Sequence, residues 1–129
     1  RRRASEPVVR RITLAQQRCN SNFKPTGTCQ ARALLRISDL SVTERTTLAT
    51  LGVTMSVIAQ NARLLRDLAG NNLYYDTNSI TLGGGESADV IIDVSNVPPG
   101  TSYLYSTNLD HLSNDAENFG GMMTEIVVL

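Results

Sequence analysis

Apolar and polar residues alternate over short stretches through most of this chain, and few stretches carry the wider spacing of an amphipathic helix. From Val53 to Ala59 the odd positions Val53, Met55, Val57 and Ala59 form an apolar face, with Thr54 and Ser56 between them. Residues 88–94 and 102–107 repeat the pattern, and residues 31–37, 73–76, 79–82 and 122–128 are short apolar or alternating runs bounded by turn residues. A period of two puts successive side chains on opposite faces of a strand, so each run predicts a half-buried strand. Residues 42–51, rich in threonine (Thr43, Thr46, Thr47, Thr50), add another, and Gly52 is expected to join it to residues 53–59 as a hairpin. Gly83, Gly84 and Gly85 and the later Pro98-Pro99-Gly100-Thr101 turn frame residues 88–94 and 102–107, which are expected to form one antiparallel unit. Residues 57–68 are the one place where a helix competes, and Gly70 with Asn71 and Asn72 supplies turn chemistry just beyond. Several short strands with turns between them predict an all-β sandwich or barrel of Greek-key type.

The first 30 residues read differently. Pro7 and Pro25 break any pattern, only residues 8–14 suggest a short strand, and the segment is expected to be linker and loop ahead of a domain spanning 31–129. A chain of 129 residues is long enough for a single core. It opens at Arg1 without an initiator methionine and ends on strand-like sequence, as a fragment of a longer protein would.

Charge narrows the partners. With 12 basic and 12 acidic side chains the formal net charge is zero, so no global field steers the chain to nucleic acid or an anionic membrane. The basic residues crowd the first 36 positions, but no aromatic residues interleave with those arginines to stack on bases, so the segment reads as a solvated arm, with an acidic partner as the alternative. No run approaches the 18–20 or so apolar residues that span a bilayer. Cys19 and Cys29 flank a polar stretch with turn residues in its middle. A disulfide closing this loop is expected, which implies an oxidising compartment, and two free thiols are the alternative.

The chemistry-bearing residues are few. The Gly83–Gly85 run lacks the Lys-Ser/Thr and the helix of a phosphate-binding loop. Ser113 lies beside Asp110 and His111, but no Gly-x-Ser-x-Gly elbow is present and adjacency in one loop does not make a triad. His111 is the only histidine, so neither a type 1 copper site nor a multi-histidine copper cluster can be assembled from this chain alone. It reads as a surface residue, with a weaker role as a ligand in a site completed by a neighbouring domain or subunit. Asp110, Asp115, Glu117 and Asn118 gather oxygen donors in one loop, without the spacing of an EF-hand, and read as a solvated loop that Gly120-Gly121 bends back to the last strand. Met122 and Met123 fit core packing or a domain interface better than copper(I) capture.

On these residues the chain resembles the closing half of a cupredoxin domain of the multicopper oxidase family. The likeness runs through residues 34–41, 62–66, 77–86 and 109–125, and includes Gly85, Glu86 and Asp89, with Asp89 read as structural. In copper-binding members the strand after Pro-Gly-Thr carries a His-x-His pair, and the match puts Tyr105 and Thr107 at those positions. The resemblance therefore implies a plastocyanin-like domain with no catalytic, cofactor or metal residues of its own. The parent protein would be a periplasmic or extracellular oxidoreductase whose copper ions, held by other domains, couple substrate oxidation to dioxygen reduction. This domain's partners would be the neighbouring cupredoxin domains, which it packs and spaces. The alternative is an independent β-sandwich interaction or adhesion module.

Overall fold

The computed structural model of the protein describes residues 10–14, as backbone, together with 31–114 and 118–129. Among these described residues ten strands form two five-stranded sheets. The first contains, in spatial order, β1 (Arg10–Leu14), β10 (Met123–Val128), β9 (Gly100–Ser106), β3 (Thr46–Leu51) and β7 (Ser79–Leu82). The second runs β2 (Arg32–Ser38), β8 (Ser87–Asp93), β4 (Met55–Gln60) and β5 (Arg63–Leu64), with β6 (Tyr75–Thr77) also on β4. All pairings are antiparallel except β1 with β10. The strand suggested at residues 8–14 thus forms as Arg10–Leu14 at one edge of the first sheet, while the rest of the first 30 residues, Cys19 and Cys29 included, lie outside the described residues.

Alternation builds the core. In β4, Met55, Val57 and Ala59 are buried and Ser56 and Ile58 only partly so; in β8, Ala88, Val90 and Ile92 point inward. Ile80 and Leu82 of β7 with Ile126 and Val128 of β10 supply the facing layer, and Leu48 and Leu104 pack against its margin. The residues between Val57 and Leu68 make strand and turn rather than helix: the chain reverses through Asn61 and Ala62, both at positive φ, before β5.

Two expected pairings do not form. β3 and β4 are not a hairpin, because β3 lies in the first sheet beside β7 and β9 and β4 in the second beside β8. Both strands carry a buried face, and the two faces meet across the interior, so the chain must step between layers. Four extended Cα steps from Leu51 to Met55 reach about 14 Å, enough for the roughly 10 Å between packed sheets. Gly52 makes the step with φ of 91°, and a Cβ there would lie 2.6 Å from Ser102 Oγ. For the same reason β8 and β9 are not an antiparallel unit: β8 pairs with β2 and β4, and β9 with β10 and β3. Their connection crosses one end of the sandwich, where Val94 is fully buried and Val97 packs on the core.

Gly52→Ala should therefore destabilise the fold by about 1–3 kcal/mol through backbone strain and the Ser102 contact. Met55→Ala, which empties a fully buried position, should cost about 2–5 kcal/mol. Urea unfolding followed by circular dichroism measures both.

Candidate functional site

Strand directions bring the chemistry-bearing loops to one end of the sandwich. β2, β4, β7 and β9 end there and β3, β8 and β10 begin there, so residues 39–45, 83–86 and 107–122 are neighbours. The glycine run belongs to this layer and is spent on structure. Gly85 N–H donates to the Asp39 carbonyl at 2.8 Å, Asp39 N–H to the Glu86 carbonyl at 3.0 Å, and Gly83 N–H to Glu86 Oε2 at 2.6 Å. A Cβ on Gly84 would sit 2.1 Å from the Ser41 carbonyl oxygen, so this turn presses directly on the 39–41 backbone. Asp39 is buried there, and the Ser41 N–H donating to its Oδ1 at 2.8 Å is the chief cause holding its carboxyl below the ordinary range.

His111 closes a short 3₁₀ turn, Leu109–His111, capped by Asn108, whose Oδ1 accepts from Asp110 N–H at 3.3 Å. The ring is partly exposed: Nε2 lies 3.3 Å from Asn108 Nδ2 and 3.9 Å from Glu44 Oε2. Glu44 comes from the loop before β3, and nothing in the sequence spacing signalled its approach to His111. Met122 N–H donates to the His111 carbonyl at 2.7 Å, and Gly121 packs so closely that a Cβ would meet the same oxygen at 2.2 Å. Within the Gly120-Gly121 bend expected from the sequence, Gly121 is thus a steric requirement. Beside it lies an open cleft of about 650 Å³ with Leu48, Leu104, Met122 and Met123 as apolar walls and Asp110, His111, Ser113 and Asn114 at its margin.

Tyr105 and Thr107, the positions matched to the His-x-His pair, have structural partners. Tyr105 is half-buried, in register with Met123 on one side and Ala49 on the other. Thr107 N–H donates to the Thr47 carbonyl at 2.9 Å. Of the oxygen-donor loop, Asp115 and Glu117 lie outside the described residues. Among the described residues no three His, Cys, Asp or Glu side chains come together as a metal-binding group, so no step of copper chemistry follows from them. Ser113 Oγ is 3.4 Å from the Phe119 N–H and is not among the partners of His111.

The outer faces of the two sheets differ. Across the second sheet Arg32 Nε meets Asp93 Oδ2 at 2.8 Å and Arg36 Nε approaches Asp89 Oδ2 at 3.7 Å, so Asp89 is one half of a cross-strand ion pair. The first sheet shows Thr47, Ala49 and Leu51 beside Tyr103, Tyr105 and Thr107, without a charged residue on β3 or β9. Asp93 is held down to about 2 by the Ser95 hydroxyl and N–H, which donate to Oδ1 at 2.5 and 2.9 Å, and then by Arg32.

No family model matches the sequence, and no curated protein does. Solved structures do match. The chain superposes on the blue copper oxidase from Nitrosomonas europaea with a TM-score of 0.66 at 19% identity, over 95% of this chain and 31% of that one. The multicopper oxidase mgLAC gives 0.66 at 16%, over 95% and 32%, and the multi-copper oxidase from Pseudomonas thermotolerans 0.60 at 19%, over 95% and 22%. The sandwich therefore has the cupredoxin-like fold found in multicopper oxidases, as the sequence resemblance implied. The chain spans a third or less of the length of these proteins.

The depressed Asp93 carboxyl sets a pH dependence. Its folded value lies below the ordinary 3.8, so its contribution is complete above about pH 4 and is lost as pH falls toward 2. Because the pair with Arg32 is partly solvated, the loss should be on the order of 1 kcal/mol. Urea unfolding between pH 5 and pH 2, in steps of about half a unit, should show a decline that Asp93→Asn flattens.

Proposed function

We propose that this chain is a copper-free cupredoxin-like domain of a multicopper oxidase, serving to pack and space copper-bearing domains rather than to carry out chemistry. One observation carries the reading: at the strand positions where the family holds a pair of imidazoles, Tyr105 and Thr107 are occupied in sheet packing and a backbone hydrogen bond. Function resides in sites grafted on a fold, and this sandwich has the frame of an oxidase domain with one imidazole in its sequence. Its parent would be a copper-dependent oxidoreductase in the periplasm or outside the cell, with neighbouring cupredoxin domains as its partners; a Cys19–Cys29 disulfide would suit that compartment. No helix of the described residues is long and apolar enough to cross a membrane.

A second reading, an independent β-sandwich interaction module, is favoured by the cluster of exposed apolar residues at 64–75. Metal content separates copper binding from both. After loading with excess copper and exhaustive dialysis, elemental analysis should find well under one copper per chain, and His111→Ala should change nothing. Stoichiometric copper that His111→Ala removes would overturn the copper-free reading.

A further inference from the structure

The second sheet ends on an open strand. Among the described residues β2 pairs only with β8, and at seven residues it is the longest strand at the margin of either sheet. Its pairing with β8 runs without a shift of register, and residues 32–38 hold neither Pro nor Gly. The direction of its backbone groups follows from its two ends, where Val94 N–H donates to the Ala31 carbonyl and Asp39 N–H to the Glu86 carbonyl, each at 3.0 Å. Alternate residues of an antiparallel strand turn their N–H and C=O to the same neighbour. Ala33, Leu35 and Ile37 therefore bond to β8, and Arg32, Leu34, Arg36 and Ser38 point theirs away from the sheet. An open row of this kind is a template for a further strand, which proteins ordinarily guard with charge, proline or a bulge. β2 has two arginines, but each leans back across the sheet, Arg32 to Asp93 at 2.8 Å and Arg36 to Asp89 at 3.7 Å. Between them Leu34 is 52% exposed.

The edge fits a second copy of itself. Two copies of β2 related by a two-fold axis run antiparallel, and their free groups bond only where residues 32, 34, 36 and 38 of one face the same set on the other. Of the registers that oppose three or more of these residues, one sets Arg32 against Arg36 and another sets Arg36 against itself, and like charges directly across a sheet repel. The register centred on Leu35 has no such conflict: Arg32 faces Ser38 and Leu34 faces Arg36, each in both directions. It also engages all seven residues. On the inner face it brings Leu35 beside Leu35 and Ala33 beside Ile37, side chains that are half-buried in one copy, with Leu35 and Ile37 already packed against the core. With formal net charge zero, two copies are not held apart by overall repulsion.

We propose that the chain forms a two-fold dimer by antiparallel pairing of β2 with β2 of a second copy, in the register centred on Leu35, so that the two second sheets become one continuous sheet. The strands meet over about 23 Å at 3.3 Å per residue, a contact at the small end of the interface range, so the association is weak and reversible. Each copy uses its own β2 edge, so this contact stops at two. The ion pairs on the outer face stay in water. The pairing is independent of whether the parent protein is an oxidase.

Sedimentation velocity on the 129-residue chain from about 10 µM to about 1 mM tests it. The weight-average mass should climb above 14.0 kDa with concentration and level off near twice that value. Leu34→Pro removes an N–H that faces the open edge, where proline is tolerated, and should leave the circular dichroism of the monomer unchanged while weakening the dimer at least about tenfold. Two exposed substitutions read the register. Leu34→Glu sets a carboxylate against Arg36 of the other copy and should tighten the dimer, whereas Leu34→Lys should loosen it, each by roughly two- to thirtyfold over the two symmetric pairs. A concentration-independent monomer, a folded Leu34→Pro variant that dimerises as before, or Leu34→Glu weakening the dimer as Leu34→Lys does would each overturn the proposal.

Discussion

Every long strand of the described domain apart from β1, which is seen as backbone, has one face that must leave water, and no strand can bury that face within its own sheet. The two inner faces must close on each other, and Met55, Val57, Val90, Ile92, Ile126 and Val128 do so with almost no exposure. A fully buried aliphatic side chain contributes roughly 1.5–3 kcal/mol, so closing the two layers outweighs any single turn or ion pair on the surface. The remaining architecture follows from that closure. Connections that would have been local hairpins in one sheet become crossings between sheets, and the crossings place their loops at the two ends.

How legible this was depends on which residues carry the information. The inward positions were plain in the sequence, since the period of two over Val53 to Ala59 and over residues 88–94 is a local property of the chain. The partner of each strand was not. Gly52 and the Pro98-Pro99-Gly100 turn signal a reversal equally well whether the chain stays in its sheet or crosses to the other. What decides is the location of the second layer, a non-local fact about Val94, Val97 and the facing strands. The competing helix at 57–68 failed because Asn61 and Ala62, both at positive φ, break the chain where a helix would have run through. The glycines, by contrast, could be interpreted only in place: Gly84 and Gly121 are required because carbonyl oxygens of Ser41 and His111 occupy the space of a Cβ.

The candidate site was legible mainly as a shortage. A single histidine in the sequence limits copper chemistry whatever the fold, whereas the approach of Glu44 to His111 joins residues 67 positions apart and had no local signature. Tyr105 and Thr107 gained meaning from the family resemblance, and the structure gives each a structural partner. Their neighbours explain how the frame tolerates such residues: Tyr105 lies between Met123 and Ala49 on adjacent strands, where an aromatic ring packs well against apolar cross-strand partners.

The two sheets solve the problem of their outer faces in different ways. The second sheet spends Arg32, Asp93, Arg36 and Asp89 on cross-strand pairs, a surface suited to water. Such exposed pairs add little stability, but they make the face a poor match for an apolar partner, since burying it would strip water from four charges. The first sheet has no such charges on β3 or β9 and offers Leu51, Tyr103 and Tyr105 instead, residue types that interfaces favour because aromatic rings bring large contact area at low entropic cost. The two outer faces thus differ in kind, one that stays wet and one on which β3 and β9 leave aromatic and aliphatic side chains without charged neighbours on either strand. The charge-free stretch is confined to β3 and β9, since Glu125 on the neighbouring β10 stands in register with Tyr103, so the contrast between the two sheets is set by particular strands rather than by the whole of either face.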